Sequence, residues 1–220
     1  MQHIKENIMI DVINEDTSIK EHFDNIWSTG KSPWKFSIDN IVSKKKELLI
    51  PIINKSESIL DVGCGGGEFL NFVFDHKKKN INVWGVDIAK KAIKNAELLN
   101  IYDKLDVSNI DDIYVKASSK LDLILLNEVL YYQKDYIQTL TNLITISNKY
   151  IFISLAVGSD FFDKDNILII KKIFSTHKFK LINETIIHYT KFKIPLKYFF
   201  MKKSSQTHKH ILIFRKNGIE

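Results

Sequence analysis

The stretch ILDVGCGGGEFL, residues Ile59–Leu70, decides how this chain folds. It runs from an apolar segment through a glycine-rich turn into an amphipathic segment, which predicts a strand, a tight loop and a helix. Four of the eight glycines lie within five residues here. Because glycine accepts positive φ angles and lets a ligand approach the bare backbone, we expect the ligand site at this junction.

From Ser58 onward, predicted strands and helices alternate along the chain. Helices of this length between strands indicate βαβ crossovers and a parallel sheet. We therefore predict an α/β fold with a Rossmann-like, doubly wound, seven-stranded sheet, mostly parallel with an antiparallel last strand. The predicted strands are Ile59–Val62, Val83–Val86, Leu105–Val107, Leu121–Leu126, Tyr150–Leu155, Lys180–His188 and His210–Arg215. The predicted helices are Glu68–His76, Lys90–Leu99, a weak turn at Asp111–Lys116, Tyr136–Ser147 and Asp163–His177.

Two short helices are predicted before the first strand. Ser18 and Glu21 have the spacing of a capping box, and apolar residues follow at helical intervals toward Gly30. A second helix is predicted from Ile38 to Ile53. We expect this N-terminal cap to lie over the carboxyl ends of the strands, where ligands bind in open α/β sheets.

The positive charge of the chain does not by itself indicate a nucleic-acid partner. The formal net charge is +6, but Arg215 is the single arginine among 32 basic residues. Arginine is the usual residue for bidentate contacts to phosphates and bases. We therefore expect no nucleic-acid partner.

Two phosphate-binding interpretations of the glycine loop fail on its residues. A Walker loop ends in Gly-Lys-Ser or Gly-Lys-Thr, whereas Gly67 is followed by Glu68 and Phe69. A dinucleotide fingerprint that starts at Gly63 would place Glu68 at its third glycine position. Glu68, and Asp61 just before the turn, would face a pyrophosphate with like charge.

S-adenosylmethionine suits the same acids, because it carries a sulfonium and an ammonium group and has no phosphate. Asp61 near the loop can attract the ammonium group, while the glycine backbone lets the methionine portion lie close. After Val83–Val86 the chain reaches Asp87, and a carboxylate can accept both hydrogen bonds of a vicinal diol such as that of ribose.

On these motifs the chain resembles the class I S-adenosylmethionine-dependent methyltransferases. The resemblance covers about Ser58–Leu155 and implies an acid for the ribose at Asp87 and a contact to adenine at Asn109, with Asp111 as an alternative register. It implies S-adenosylhomocysteine as the product. The cofactor-binding residues expected on this basis are Asp61, Gly63, Cys64, Gly65, Asp87, Ile88, Asn109, Ile110, Asn127 and Trp34.

The segments Asn127–Tyr132 and Ser32–Phe36 are similar to those of the NodS-like small-molecule methyltransferases. This similarity implies transfer to a nitrogen or oxygen atom of a small metabolite, such as a sugar. A hydroxyl acceptor needs a general base, whereas a neutral amine needs little help. The candidate catalytic residues are Glu128, Tyr131, Tyr132 and His188.

Residues 191–216 contain eight basic side chains and no acid. A solvated surface is the ordinary interpretation of such a run. It also fits an anionic acceptor, such as a phosphorylated or nucleotide-linked sugar, or alternatively an RNA or protein substrate. A third hypothesis is a module that binds the cofactor without catalysis. His208 and His210 alternate on one strand without a third ligand, so we predict no metal site.

The length of 220 residues and the 45% apolar content predict one domain over residues 1–220. Within it we expect an N-terminal helical cap at 1–54, a cofactor-binding core at 55–156 and a C-terminal, substrate-side part of the sheet at 157–220. No membrane span or secretory signal is visible, and the single cysteine, Cys64, permits no disulfide within the chain. We expect a cytoplasmic protein.

Overall fold

A seven-stranded sheet forms the centre of the fold. It is seen in a computed structural model that describes residues 16–29, 40–74, 80–158, 162–188 and 208–219. The strands are β1 (Ser58–Val62), β2 (Asn82–Asp87), β3 (Lys104–Val107), β4 (Leu121–Asn127), β5 (Ser147–Val157), β6 (Phe179–His188) and β7 (His208–Lys216). They are ordered β3-β2-β1-β4-β5-β7-β6 across the sheet.

The first five strands are parallel, and β7 is antiparallel to both of its neighbours, β5 and β6. This arrangement confirms the predicted fold class. The central strands are continuous apolar runs because both faces of the sheet are covered. Leu60, Ile124 and Ile151 contribute to the core on one face, whereas Ile59 and Leu123 contribute to the core on the other.

The helices lie close to their predicted positions. They are α1 (Asp16–Ile26), α2 (Asn40–Ile53), α3 (Glu68–Val73), α4 (Lys90–Glu97), α5 (Ile113–Lys116), α6 (Tyr136–Ile146) and α7 (Lys164–Thr176). Short 3₁₀ helices occupy Trp27–Thr29, Ile110–Asp112 and Leu130–Tyr132. Within the described residues, no helix has the length and apolar character needed to cross a membrane.

The N-cap predicted for the first helix is wrong, and the structure shows a capping box at the start of α7. Helix α1 begins at Asp16, so Ser18 lies inside the helix and not at its N-cap. Asp163 does cap α7, because its side chain accepts from the Asn166 N–H while the Asn166 side chain accepts from the Asp163 N–H. This reciprocal pair satisfies two N–H groups that the first turn of a helix leaves without partners.

The order of the strands reverses between β1 and β4. From β1, the chain continues outward to β2 and β3 on one side, then returns to β4 and β5 on the other. The carboxyl ends of these parallel strands all meet at one edge of the sheet. An open crevice forms above such a reversal point, and ligands bind there in α/β folds of this kind.

Near the amino end of β4, away from the cavity end of the strands, Asp122 forms hydrogen bonds to residues beside β1 and in β5. Its carboxylate accepts from the Glu57 N–H at 2.9 Å, from Lys149 Nζ at 2.9 Å and from Asn148 Nδ2 at 2.8 Å. Burial alone would raise the pKa of Asp122, but these bonds to the ionised form outweigh burial and lower the pKa.

We predict that Asp122→Asn lowers the free energy of unfolding by about 1–3 kcal/mol at pH 7, since an amide cannot accept all three bonds. Because the folded-state pKa is below that of the unfolded chain, the contribution of Asp122 is present above pH 4 and is lost as the pH falls. The difference between variant and wild type should therefore shrink on acidification. Urea unfolding from pH 7 to pH 3 measures it, with the exposed Asp112→Asn as a control that should change stability by less than about 0.5 kcal/mol. A difference that stays constant with pH would contradict the assignment.

Candidate functional site

A cavity of about 420 Å³ opens at the edge where the parallel strands end. Residues that follow β1, β2, β3 and β4 line it, and α1, α2 and β7 add further side chains. Of the predicted cofactor-binding residues, those that line the cavity are Gly63, Cys64, Gly65, Asp87, Ile88, Asn109, Ile110 and Asn127. Most of the residues predicted to bind the cofactor therefore line the cavity at the carboxyl ends of the parallel strands.

The glycine loop turns under tight steric limits. The Gly63 and Cys64 N–H groups both donate to the Val86 carbonyl, at 2.8 and 3.0 Å, which ties the loop to the end of β2. Gly63 has φ 65°, and a Cβ there would lie 2.5 Å from Val129 Cγ2. Gly65 has φ 55°, and its Cβ would lie 3.0 Å from the Trp27 ring. A side chain at Gly63 would thus be both strained and in collision.

Asp87 is held in a fixed orientation at the end of β2. One carboxylate oxygen accepts from the Gly65 N–H at 2.8 Å and the other accepts from the Ala89 N–H at 2.8 Å. Burial raises the pKa of Asp87, and the two backbone bonds partly offset this shift. A carboxylate offers about four lone-pair positions, so Asp87 can accept further bonds from a ligand in the cavity.

Asp61 does not line the cavity, although it was among the predicted cofactor-binding residues. It is buried, and its carboxylate accepts from the Tyr102 hydroxyl at 2.8 Å. Burial raises the pKa of Asp61 to about 7, and the bond from Tyr102 opposes the rise. The Tyr102 ring packs where Gly67 and Gly85 have no side chain. This geometry favours support of the loop by Asp61 over the direct contact to an ammonium group that the sequence suggested.

The residues after β3 present two polar groups to the cavity. Asn109 Oδ1 accepts from the Asp111 N–H at 3.2 Å, and Asp111 accepts from the Thr139 hydroxyl at 2.7 Å. Both Asn109 and Asp111 line the cavity. Whichever of the two is the adenine contact, a hydrogen-bond acceptor therefore lies on the same wall of the cavity. The choice between them for adenine stays a prediction.

Glu128 follows β4 with a φ of 62° and lines the cavity. Burial alone would raise its pKa, but the ammonium groups of Lys45 and Lys209 lower the pKa to about 2. A carboxylate with so low a pKa is a weak proton acceptor at neutral pH. The hypothesis that Glu128 is a general base is therefore disfavoured on electrostatic grounds.

Tyr131 and Tyr132 both line the cavity. Their ring centroids lie 4.6 Å apart, and the Phe23 ring from α1 meets Tyr132 edge to face at 5.2 Å. Burial raises the pKa of Tyr132, so its hydroxyl is protonated at neutral pH. The catalytic roles of both tyrosines stay predictions.

Two other predicted residues are not part of this cavity as described. His188 is exposed at the end of β6 and stacks loosely on His208, with ring centroids 5.5 Å apart, so it is not placed to act as a base there. Trp34, and with it the Ser32–Phe36 loop, lies outside the described residues. Among the residues that the structure covers, no group of three or more His, Cys, Asp or Glu side chains could hold a metal ion.

The sequence interpretation missed Lys45, Lys209, Ser154 and Tyr102. Lys45 Nζ donates to Asn127 Oδ1 and to Glu128 Oε1, both at 2.8 Å, and only 5% of its side chain is exposed. Its spacing was a signal, since Lys45 lies four residues from both Ile41 and Leu49 on the apolar face of α2, and a buried lysine needs a partner. Lys209 belongs to the basic run at 191–216, but nothing in the sequence paired it with Glu128, and Ser154 and Tyr102 gave no comparable signal.

A family model described as a methyltransferase domain matches residues 36–181. The matched region includes the glycine loop, Asp87 and the segment after β4. This chain belongs to the methyltransferase-domain family. The prediction that it is a methyltransferase is confirmed, whereas no curated protein matches it in sequence.

Solved structures share the fold of this methyltransferase at low sequence identity. The NodS N-methyltransferase from Bradyrhizobium japonicum WM9, in complex with S-adenosylhomocysteine, aligns with a TM-score of 0.63 and 14% identity over 97% of this chain and 98% of its own. Magnesium protoporphyrin IX methyltransferase from Synechocystis PCC 6803, with bound S-adenosylhomocysteine, aligns with a TM-score of 0.62 and 15% identity over 92% and 100%. A proposed RNA methyltransferase from Pyrococcus horikoshii aligns with a TM-score of 0.57 and 18% identity over 80% of this chain and 84% of its own.

We predict that Gly63→Ala destabilises the methyltransferase by about 2–5 kcal/mol, because a left-handed alanine and a collision with Val129 add together. Gly218→Ala is a matched control, since Gly218 also has a positive φ, 81°, but nothing lies within 4 Å of its Cβ position. The control should cost only about 1–2 kcal/mol for the backbone strain. Urea unfolding of the two variants measures the difference, and equal costs would contradict the close contact at Gly63.

A second prediction concerns the buried Asp61. Its folded-state pKa, about 7, lies above the unfolded value of 3.8, so its contribution is fully present below pH 4 and is lost as the pH rises to 7. The free energy of unfolding of Asp61→Asn, relative to that of the wild type, should rise by about 2–4 kcal/mol between pH 4 and pH 8, because asparagine has no charge to desolvate. Unfolding free energies of both proteins across this range test it. Parallel pH profiles would show that Asp61 does not ionise in a buried setting.

Proposed function

We propose that this chain is an S-adenosylmethionine-dependent methyltransferase. It transfers a methyl group to a nitrogen or oxygen atom of a small metabolite and leaves S-adenosylhomocysteine. We expect an anionic acceptor, such as a phosphorylated or nucleotide-linked sugar. The observation that carries the proposal is the Asp87 carboxylate, which lines the cavity with both oxygens fixed by backbone N–H groups.

The residues around the cavity fit this cofactor. Asp87 has lone pairs left for the two hydroxyls of a ribose. Gly63 and Gly65 bring bare backbone to the cavity, so the methionine portion can approach closely. Asn109 and Ile110 offer a polar and an apolar contact beyond Asp87, as an adenine ring requires. The acids Asp87 and Asp111 on this side suit a ligand that carries a sulfonium and disfavour a pyrophosphate.

When bound, the cofactor supplies a methyl group on a sulfonium, which is a good donor, so the protein has mainly to align the acceptor and exclude water. Trp27 covers the glycine loop, and Phe23 packs on Tyr132 at the wall of the cavity. These aromatic side chains limit the access of water. For a hydroxyl acceptor, Tyr131 and Tyr132 remain the candidate groups for handling its proton. A neutral amine would need neither.

We predict that Asp87→Ala weakens the binding of S-adenosylhomocysteine about 10- to 100-fold, which corresponds to the loss of hydrogen bonds to a charged acceptor. Isothermal titration calorimetry measures the affinities. The exposed Asp112→Ala is the control and should bind as the wild type does, and thermal unfolding of each protein checks that it is folded. Equal affinity of Asp87→Ala and wild type would refute the ribose role.

An RNA or protein acceptor is the second candidate, favoured by the eight basic residues at 191–216, most of which lie outside the described residues. Binding to a polyanion weakens steeply with added salt, whereas binding of a small acceptor responds more gently. The salt dependence of acceptor binding therefore separates the two candidates. A cytoplasmic location and the three-part division of the chain remain predictions from the sequence.

A further inference from the structure

We propose that Lys45 and Lys209 form an anion-binding subsite in the cavity, which receives a carboxylate or phosphate group of the methyl acceptor. Glu128 is the residue that positions the two ammonium groups. The inference rests on the proposed function, because it names the chemistry of the acceptor for that same site.

The Glu128 carboxylate is saturated by protein donors. Oε1 accepts from Lys45 Nζ at 2.8 Å and from the Ser154 hydroxyl at 2.6 Å. Oε2 accepts from Lys209 Nζ and, at 3.4 Å, from the Tyr131 hydroxyl. An ionised carboxylate offers about four lone-pair positions, and four donors occupy them here. Glu128 is therefore built to organise its neighbours and not to receive a proton from a substrate.

Separate parts of the fold converge on this carboxylate. Lys45 comes from α2, Ser154 from β5 and Lys209 from β7, while Glu128 itself follows β4 with a positive φ. A non-glycine residue keeps such a backbone conformation only where its surroundings enforce it, and these conformations concentrate at functional sites. The convergence fixes both ammonium groups at the surface of the cavity, which they line.

The two lysine side chains are largely withdrawn from water, with 5% and 15% of their surfaces exposed. An ammonium group donates up to three hydrogen bonds and is a common ligand for phosphate and carboxylate oxygens. Near-complete removal from water strengthens such contacts, because the surrounding dielectric is lower than that of bulk solvent.

Charges of opposite sign lie on opposite sides of the cavity. Asp87 ends β2 and Asp111 follows β3, whereas Lys209 lies in β7 and Lys45 contacts Asn127 and Glu128 at the end of β4. Four strands separate β3 from β7 in the sheet order, so Asp111 and Lys209 lie at opposite sides of the cavity, whereas β1 alone lies between the strand of Asp87 and the strand whose end Lys45 contacts. The acidic side suits a sulfonium cofactor, and the basic side suits an anionic acceptor.

The first test is NMR observation of the Nζ groups of Lys45 and Lys209 in the protein loaded with S-adenosylhomocysteine. Inorganic phosphate, acetate and chloride are added in turn at matched ionic strength. Saturable shifts of both resonances with phosphate or with acetate, and none with chloride, are expected. Shifts with phosphate but not with acetate indicate a phosphorylated acceptor, and shifts with acetate but not with phosphate indicate a carboxylated one. Shifts that are absent, or equal with chloride, overturn the proposal.

Lys209→Met provides the second test. It should lower the binding affinity for whichever anion, phosphate or acetate, binds the wild type by at least about tenfold, as expected for the loss of a charge-assisted bond. Lys180→Met, at an exposed position on β6, is the matched control and should leave anion affinity unchanged. The affinity for S-adenosylhomocysteine should stay within about twofold in both variants. Unchanged anion affinity in Lys209→Met overturns the subsite. Failure of the wild type to bind S-adenosylhomocysteine, with anion binding intact, refutes the proposed cofactor instead.

Discussion

The turn at the end of β1 is the constraint on which the rest of the molecule depends. The chain leaves β1 in a left-handed conformation at Gly63, pressed between the end of β2 and Val129. No other residue type fits that space without strain and collision. Because the turn is so tight, the carboxyl ends of β1, β2 and β4 stay close together. The cavity and the position of Asp87 both follow from this closeness.

Burial acts on three carboxylates near the cavity, with different results. Asp61 accepts from a neutral donor, the Tyr102 hydroxyl, and its pKa rises to about 7. Asp87 accepts from backbone N–H groups, including those of Gly65 and Ala89, and burial still leaves its pKa raised. Glu128 has two ammonium groups as well as hydroxyl donors, so its pKa falls to about 2. The protonation behaviour of each of these buried carboxylates therefore follows from the donors that surround it.

The parts of the site that the sequence predicted are those made by neighbouring residues. The glycine loop and Asp87 each follow directly from a strand, so local pattern and strand order were enough to place them. Lys45 and Lys209 could not be found in this way, since they lie 83 residues before and 81 residues after Glu128. Glu128 was found, but its donors were not visible in the sequence, and its role as a general base stays a prediction that its low pKa disfavours. Ser18 shows the converse error, a local motif that the longer helix overrode.

The place of β7 in the sheet has a consequence for how the molecule assembles. This strand comes last among the seven yet fills the gap between β5 and β6, so its two neighbours must be made before it can be inserted. Contacts so distant along the chain form slowly, because a long loop must close first. The side of the cavity formed by the residues after β1, β2 and β3 can thus take shape while the chain is still being synthesised, whereas the wall that contains Lys209 has to wait for that residue. The wall of the cavity to which β7 contributes is accordingly the last part of the cavity to be completed.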